Sequence, residues 1–159
     1  MIPRRGAEVA QITEKSMNDV LEVRRALDAL CVELACERIT GEDLARLKQA
    51  CEAFEEAVRT REIKKVARAD VELHDIIVQA TGNQRLVQLI NNLSEQMYRY
   101  RFEYIKDISQ HQRLVDEHRM IYDSIVKKDK EAASQAAHVH IDNQKKAIIA
   151  QIRSEKKKR

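Results

Sequence analysis

The stretch Val66-Ala67-Arg68-Ala69-Asp70-Val71-Glu72-Leu73-His74-Asp75-Ile76-Ile77-Val78-Gln79-Ala80, closed by Thr81-Gly82-Asn83, decides the fold. Val66, Ala69, Leu73, Ile76 and Ile77 recur at three- and four-residue spacing, the period of an amphipathic helix, and Thr81-Gly82-Asn83 supplies the stop. A helix from about Ile63 to Ala80 follows. Asp70 and His74 stand four residues apart on it, one turn above the other. Val71, Ile77 and Val78 lie three and four residues from His74, so the pair faces an apolar interior. A carboxylate there requires a partner.

The same spacing extends in both directions. Upstream, Val20, Val23, Leu27, Leu30 and Leu34 mark a first helix from about Ser16 to Arg38, and that stripe is read as its buried face. Thr40-Gly41-Glu42-Asp43 restarts the chain with Thr40 as N-cap, a variant of the capping box. A second helix then carries Leu44, Leu47, Cys51, Phe54 and Val58. Downstream, a fourth is predicted over about Asn83 to Asp107, a fifth over about Ser109 to Lys127, and after Lys128-Asp129 a long closing helix. Short links between long amphipathic helices favour antiparallel neighbours. The expected fold is an all-α antiparallel bundle of about six helices.

Composition agrees. Three glycines and one proline in 159 residues leave almost no turn chemistry for sheets, and with no tryptophan the core must be aliphatic. No run reaches the ~20 apolar residues of a membrane span, and residues 1–30 lack a secretory signal, which reads as a cytoplasmic protein. Cys31, Cys36 and Cys51 are odd in number and lack C-x-x-C spacing, so they read as small core or boundary residues rather than a disulfide framework. A net charge of +3 is weak for a nucleic-acid binder. Much of that excess sits in a basic tail over 154–159, expected to be a solvated, frayed end. Residues 1–15, with Pro3 and Gly6 among basic side chains, read as a linker or the remnant of an upstream domain, leaving 16–153 as the helical domain.

Two further histidines join the Asp70/His74 pair. His118 lies in a stripe with Leu114, Val115, Ile121, Tyr122 and Ile125, and His140 lies among Ala133, Ala136, Ala137 and Ala147. Three inward histidines and one inward aspartate on three helices are costly without a common ligand. A divalent cation resolves the cost, since imidazole and carboxylate suit zinc, nickel, iron or manganese. Four protein donors leave positions open for water or an organic acid. His111 and His138 are expected to be exposed. Arg24 lies along the apolar face of the first helix and reads either as a clamp for an anionic effector or as a structural ion pair with Glu22, Asp28 or another helix. Arg25 is expected in solvent.

Glu22-Val23-Arg24-Arg25-Ala26-Leu27-Asp28 followed by Glu33-Leu34-Ala35, Asp70-Val71-Glu72-Leu73-His74 leading into Ala80-Thr81-Gly82-Asn83, Glu117-His118-Arg119-Met120-Ile121, and His140-Ile141 together resemble the FCD domain. This is the C-terminal effector domain of FadR-type GntR transcription regulators. The likeness covers about Ser16 to Ile149. It implies a dimeric helical bundle that binds one metal, zinc first, through Asp70, His74, His118 and His140, with a small carboxylate metabolite beside it. Arg24 would face that pocket, and Asn91, Tyr98 and Arg101 would line it. Arg5-Gly6-Ala7-Glu8-Val9-Ala10 resembles the end of the family's winged helix-turn-helix. The rest of that domain is missing, which suggests a shortened chain or an unusual gene start, so DNA binding belongs to the parent protein.

Two other functions fit parts of the pattern. A small metal-dependent enzyme acting on organic acids would use the open positions as a Lewis acid, but no glutamate or histidine is left over as a base. Glu117 adjoins His118 and is expected to point about 100° away around the helix. A helical interaction module with a purely structural histidine cluster is the third reading.

Overall fold

The computed structural model describes residues 11–158. Residues 1–10 of the expected linker over 1–15, with the wing-like Arg5–Ala10 segment, fall outside the described residues, while Glu14 and Lys15 are already helical rather than linker. Within them the chain forms α1 (Glu14–Arg38), α2 (Gly41–Thr60), α3 (Ile63–Ala80), α4 (Gln84–Asn92), α5 (Ser94–Ile105), α6 (His111–Val126) and α7 (Lys130–Lys158), with a 3-10 turn over Ile108–Gln110. It is an all-α antiparallel bundle, as expected. No helix of the described residues is long and apolar enough to cross a membrane.

Local signals explain most of the ends. The Thr40 hydroxyl accepts from the Asp43 amide at 3.1 Å and starts α2. Thr13 does the same for α1 through Ser16, and the Asn83 side chain accepts from Leu86 to start α4. Gly82 takes a left-handed φ of 59° just past α3, a conformation that costs glycine nothing.

The expected fourth helix is two helices. Leu93, at φ −101° and ψ 3°, interrupts it, and its amide bonds back only three residues to Ile90. Asn91-Asn92 precede the break, and asparagine competes with the helix for its own backbone. The break re-aims α5. Tyr100, Arg101 and Tyr104 thereby turn inward. The basic end also differs from expectation, because α7 continues to Lys158 with exposed side chains rather than ending near 153.

α1 requires a larger correction. Val23 and Leu30 of the expected buried stripe are 49% and 40% exposed, while Met17, Leu21, Arg24, Cys31 and Ala35 face the interior. Two adjacent stripes of α1 have helical spacing. The one that packs is chosen by α7, which lies along α1 and contributes Ile141, Ile148 and Ile152 to a shared cluster with Met17 and Leu21. Arg25 is exposed, as expected, and pairs at the surface with Asp142 of α7. All three cysteines are buried and free. Burial pushes the Cys31 and Cys51 thiols up to about 12, so they behave as inert core residues.

Candidate metal centre

Three helices deliver the histidines. His74 from α3, His118 from α6 and His140 from α7 form a triangle with ring centroids 5.3 to 5.4 Å apart. Each offers a ring nitrogen within 4.8 Å of the others, and all three are buried. Phe54 packs edge-on against His118 at 4.4 Å and fixes that ring from α2. A void of about 20 Å³ beside His74 and His140 is lined by Asp28, Cys31, Val32 and Arg101 among others. That is room for one ion or one water.

Asp70 lies against two of these rings. Its Oδ1 lies 3.3 Å from His74 Nε2 and 3.1 Å from His118 Nε2. Yet neither nitrogen has a hydrogen-bond partner, nor do Asp70 Oδ2 or His140 Nε2. Buried polar atoms seldom stay unpaired, since each orphan costs about 1–3 kcal/mol. Three imidazoles with ring nitrogens within 4.8 Å of one another, beside a buried carboxylate, make a set of unpaired donors whose N and O chemistry suits a borderline divalent ion.

The electrostatics keep these donors ready. Burial pushes the Asp70 carboxyl up, but the adjoining His74 and His118 outweigh it and hold the carboxyl well below the usual carboxylate range. Burial, with Arg101 nearby, drives His74 down to about 3, and burial also lowers His118. Both rings are therefore neutral at pH 7, as metal ligation demands.

A pH effect follows from the same shift. Below about pH 6.5 the unfolded chain binds a proton at His74, whereas the folded chain does so only near pH 3. This contribution to stability is complete above pH 6.5 and is lost as the pH falls from there toward 3. Urea unfolding of the metal-free protein should show a loss of about 2 kcal/mol between pH 6.5 and 5 from His74, with His118 adding in the same direction. A flat profile across that interval would contradict the buried neutral rings.

The other expected pocket residues separate. Arg101 Nε stands 3.9 Å from Asp70 Oδ2, and Arg101 lines both the inner void and an outer cleft of about 360 Å³. Asn91 and Tyr98 line that cleft from its exposed side. A larger groove of about 820 Å³ shares Val71, Asp75 and Tyr98 with it but touches none of the histidines. Arg24 is wholly buried, with Nη1 donating to Gln144 Oε1 at 2.6 Å and Nη2 to Asp28 Oδ2 at 3.3 Å. Burial lowers its guanidinium to about 10, so it stays charged at neutral pH. It reaches the void only through Asp28.

Two expectations about neighbouring residues fail. His111 is buried, its Nε2 2.7 Å from the Ile105 carbonyl, because the 3-10 turn folds it back onto the end of α5. His138, the other histidine expected outside, is half-buried. Glu117, set about 100° around α6 from His118, has partners of its own. It is buried at 4% exposure, with Oε1 2.6 Å from His140 Nδ1 and Oε2 accepting from Asn143 Nδ2 at 2.7 Å and from the Tyr104 hydroxyl at 3.3 Å. α7 crosses α6 broadly enough to cover residues 117 and 118 together, which single-helix periodicity cannot show.

An FCD domain profile matches residues 19–143. The chain belongs to the FCD domain family. Among FCD-containing relatives, the HTH-type transcriptional regulator YdhC of Bacillus subtilis (strain 168) is 26% identical over 141 residues, covering 88% of this chain and 63% of its own length. The galactonate operon transcriptional repressor of Escherichia coli (strain K12) is 30% identical over 118 residues, 73% of this chain and 50% of the relative. The gluconate operon transcriptional repressor of Bacillus licheniformis is 21% identical, over 89% and 60%. The chain thus spans between 50% and 63% of the length of these three regulators. Among solved structures, E. coli McbR/YncC superimposes with a TM-score of 0.78 at 20% identity, over 90% of this chain and 72% of that one. The metal-free FCD domain of TM0439 gives 0.74 at 20% identity, over 91% and 99%. At that identity the likeness is one of fold.

Proposed function

We propose that this chain is the effector-sensing and dimerising domain of a GntR/FadR-type transcription regulator. In this reading Asp70, His74, His118 and His140 hold one divalent metal, zinc ahead of nickel, manganese or iron, and a small carboxylate metabolite fills its open positions. The observation that carries it is the buried triangle of three imidazoles with unpaired nitrogens, with the Asp70 carboxylate against two of them. The effector's approach is the outer cleft, where Arg101 stands between solvent and Asp70 and can receive an anion. Asn91 and Tyr98 flank that approach. Arg24, whose terminal nitrogens are engaged by Gln144 and Asp28, acts as a brace behind the site rather than as the first contact.

Binding at the cleft can change the output only if the effector prefers one conformation of the domain. α5 is the element placed to move, since it carries Arg101 and Tyr104 and is released from α4 at Leu93. DNA is contacted by a winged helix-turn-helix of the parent regulator in the cytoplasm, and a second copy of this domain covers apolar surface left on α1 at Val23 and Leu30. An enzymatic reading lacks a free base, because Glu117 is already committed to three partners.

The relatives' names make gluconate and galactonate the first probes. In a thermal-shift screen, zinc-loaded protein should be stabilised by a sugar acid or another small carboxylate, and chelator should abolish that stabilisation. Equal stabilisation with and without chelator would separate the effector from the metal and defeat the proposal.

A further inference from the structure

We propose that Glu117 is the positioning residue of the metal centre: it holds His140 in the one tautomer whose free nitrogen faces the other donors. The inference rests on the metal-site reading above and assigns a role to a residue outside the four donors. A carboxylate only accepts hydrogen bonds, so the His140 nitrogen 2.6 Å from Oε1 must carry the ring's proton. That nitrogen is Nδ1. In that tautomer the lone pair is at Nε2, the buried atom left without a partner, on a ring whose centroid lies 5.4 Å from those of both His74 and His118.

The carboxylate has little freedom to do anything else. Its second oxygen is held by Asn143 from α7 and by Tyr104 from α5, so rotation about the carboxyl would break bonds on two helices at once. Asn143 lies three residues after His140, on the same face of α7. Glu117 lies one before His118. α6 therefore supplies one ligand directly and orients a second that belongs to α7. His118 has no such support, because neither of its ring nitrogens is hydrogen-bonded. Its orientation comes from packing on Phe54 instead. Outer partners of this kind commonly contribute ~10–100-fold to metal affinity.

Two measurements test this separately from the metal reading. Long-range ¹H–¹⁵N correlation spectra of the metal-free wild-type protein at pH 8 should show His140 with its proton on Nδ1. A proton on Nε2 would overturn the proposal whether or not zinc binds. Zinc affinity by chelator competition should then fall ~10–100-fold in Glu117→Gln, because the amide no longer enforces that tautomer. The metal-free variant should unfold within a few degrees of wild type. Wild-type protein that binds zinc while Glu117→Gln binds it within twofold would sink the positioning role and leave the metal site standing. Wild-type protein that binds no zinc would instead defeat the metal reading, with the tautomer result still deciding what Glu117 does.

Discussion

Exchange of Asp70 for asparagine is expected to abolish the stabilisation that zinc confers. A metal held at ~1000 times its dissociation constant stabilises the folded state by about 4 kcal/mol. For a domain of this size that is a rise of roughly 8–16 °C in the unfolding midpoint. Asparagine keeps the shape of Asp70 but loses the charge that sits 3.1 and 3.3 Å from two imidazole nitrogens. It also removes the carboxylate that Arg101 approaches. Calorimetry with and without zinc should therefore show a large shift for wild type and almost none for Asp70→Asn. A variant that keeps the full shift would place the ion elsewhere.

The second large effect concerns Arg24. Alanine at this position should destabilise the metal-free domain by about 3–5 kcal/mol, the usual cost of removing one partner from a buried charged pair. Arg24 is among the largest fully buried side chains of the described residues, and its guanidinium joins α1 to α7 through Gln144. Its loss leaves a cavity and strands both Gln144 Oε1 and Asp28. Lysine should not restore stability, since a single ammonium on a flexible stem cannot reproduce the fork that spans both partners. Urea unfolding provides the number. A loss below about 1 kcal/mol for Arg24→Ala would mean the residue is a ligand contact rather than a brace.

The sequence was most informative where a signal is local. Thr40 and Gly82 declare helix ends because their roles depend on the next few residues. Asp70, His74, His118 and His140 declare themselves because a polar side chain in an apolar stripe is unusual at any one position, and all four are buried. What stayed hidden depends on a partner helix. Val23 and Leu30 are as apolar as Met17 and Leu21, and only the course of α7 decides which stripe is covered. Glu117 was set aside because helical period places it about 100° from His118, whereas a helix crossed by another can bury adjacent positions. His111 was misread for a similar reason, its burial being set by a three-residue turn that follows no hydrophobic pattern. The break at Leu93 is the subtlest case, since neither proline nor glycine marks it.

Asp70, His74, His118 and His140 are proposed to hold one ion. X-ray absorption at the zinc edge of the zinc-loaded protein tests it most directly, because scattering from imidazole and from sulfur is readily told apart. The expected shell holds nitrogen and oxygen only, at about 2.0–2.1 Å, with outer scattering from three imidazoles. Sulfur at about 2.3 Å would contradict it by bringing in Cys31, which lines the same small void.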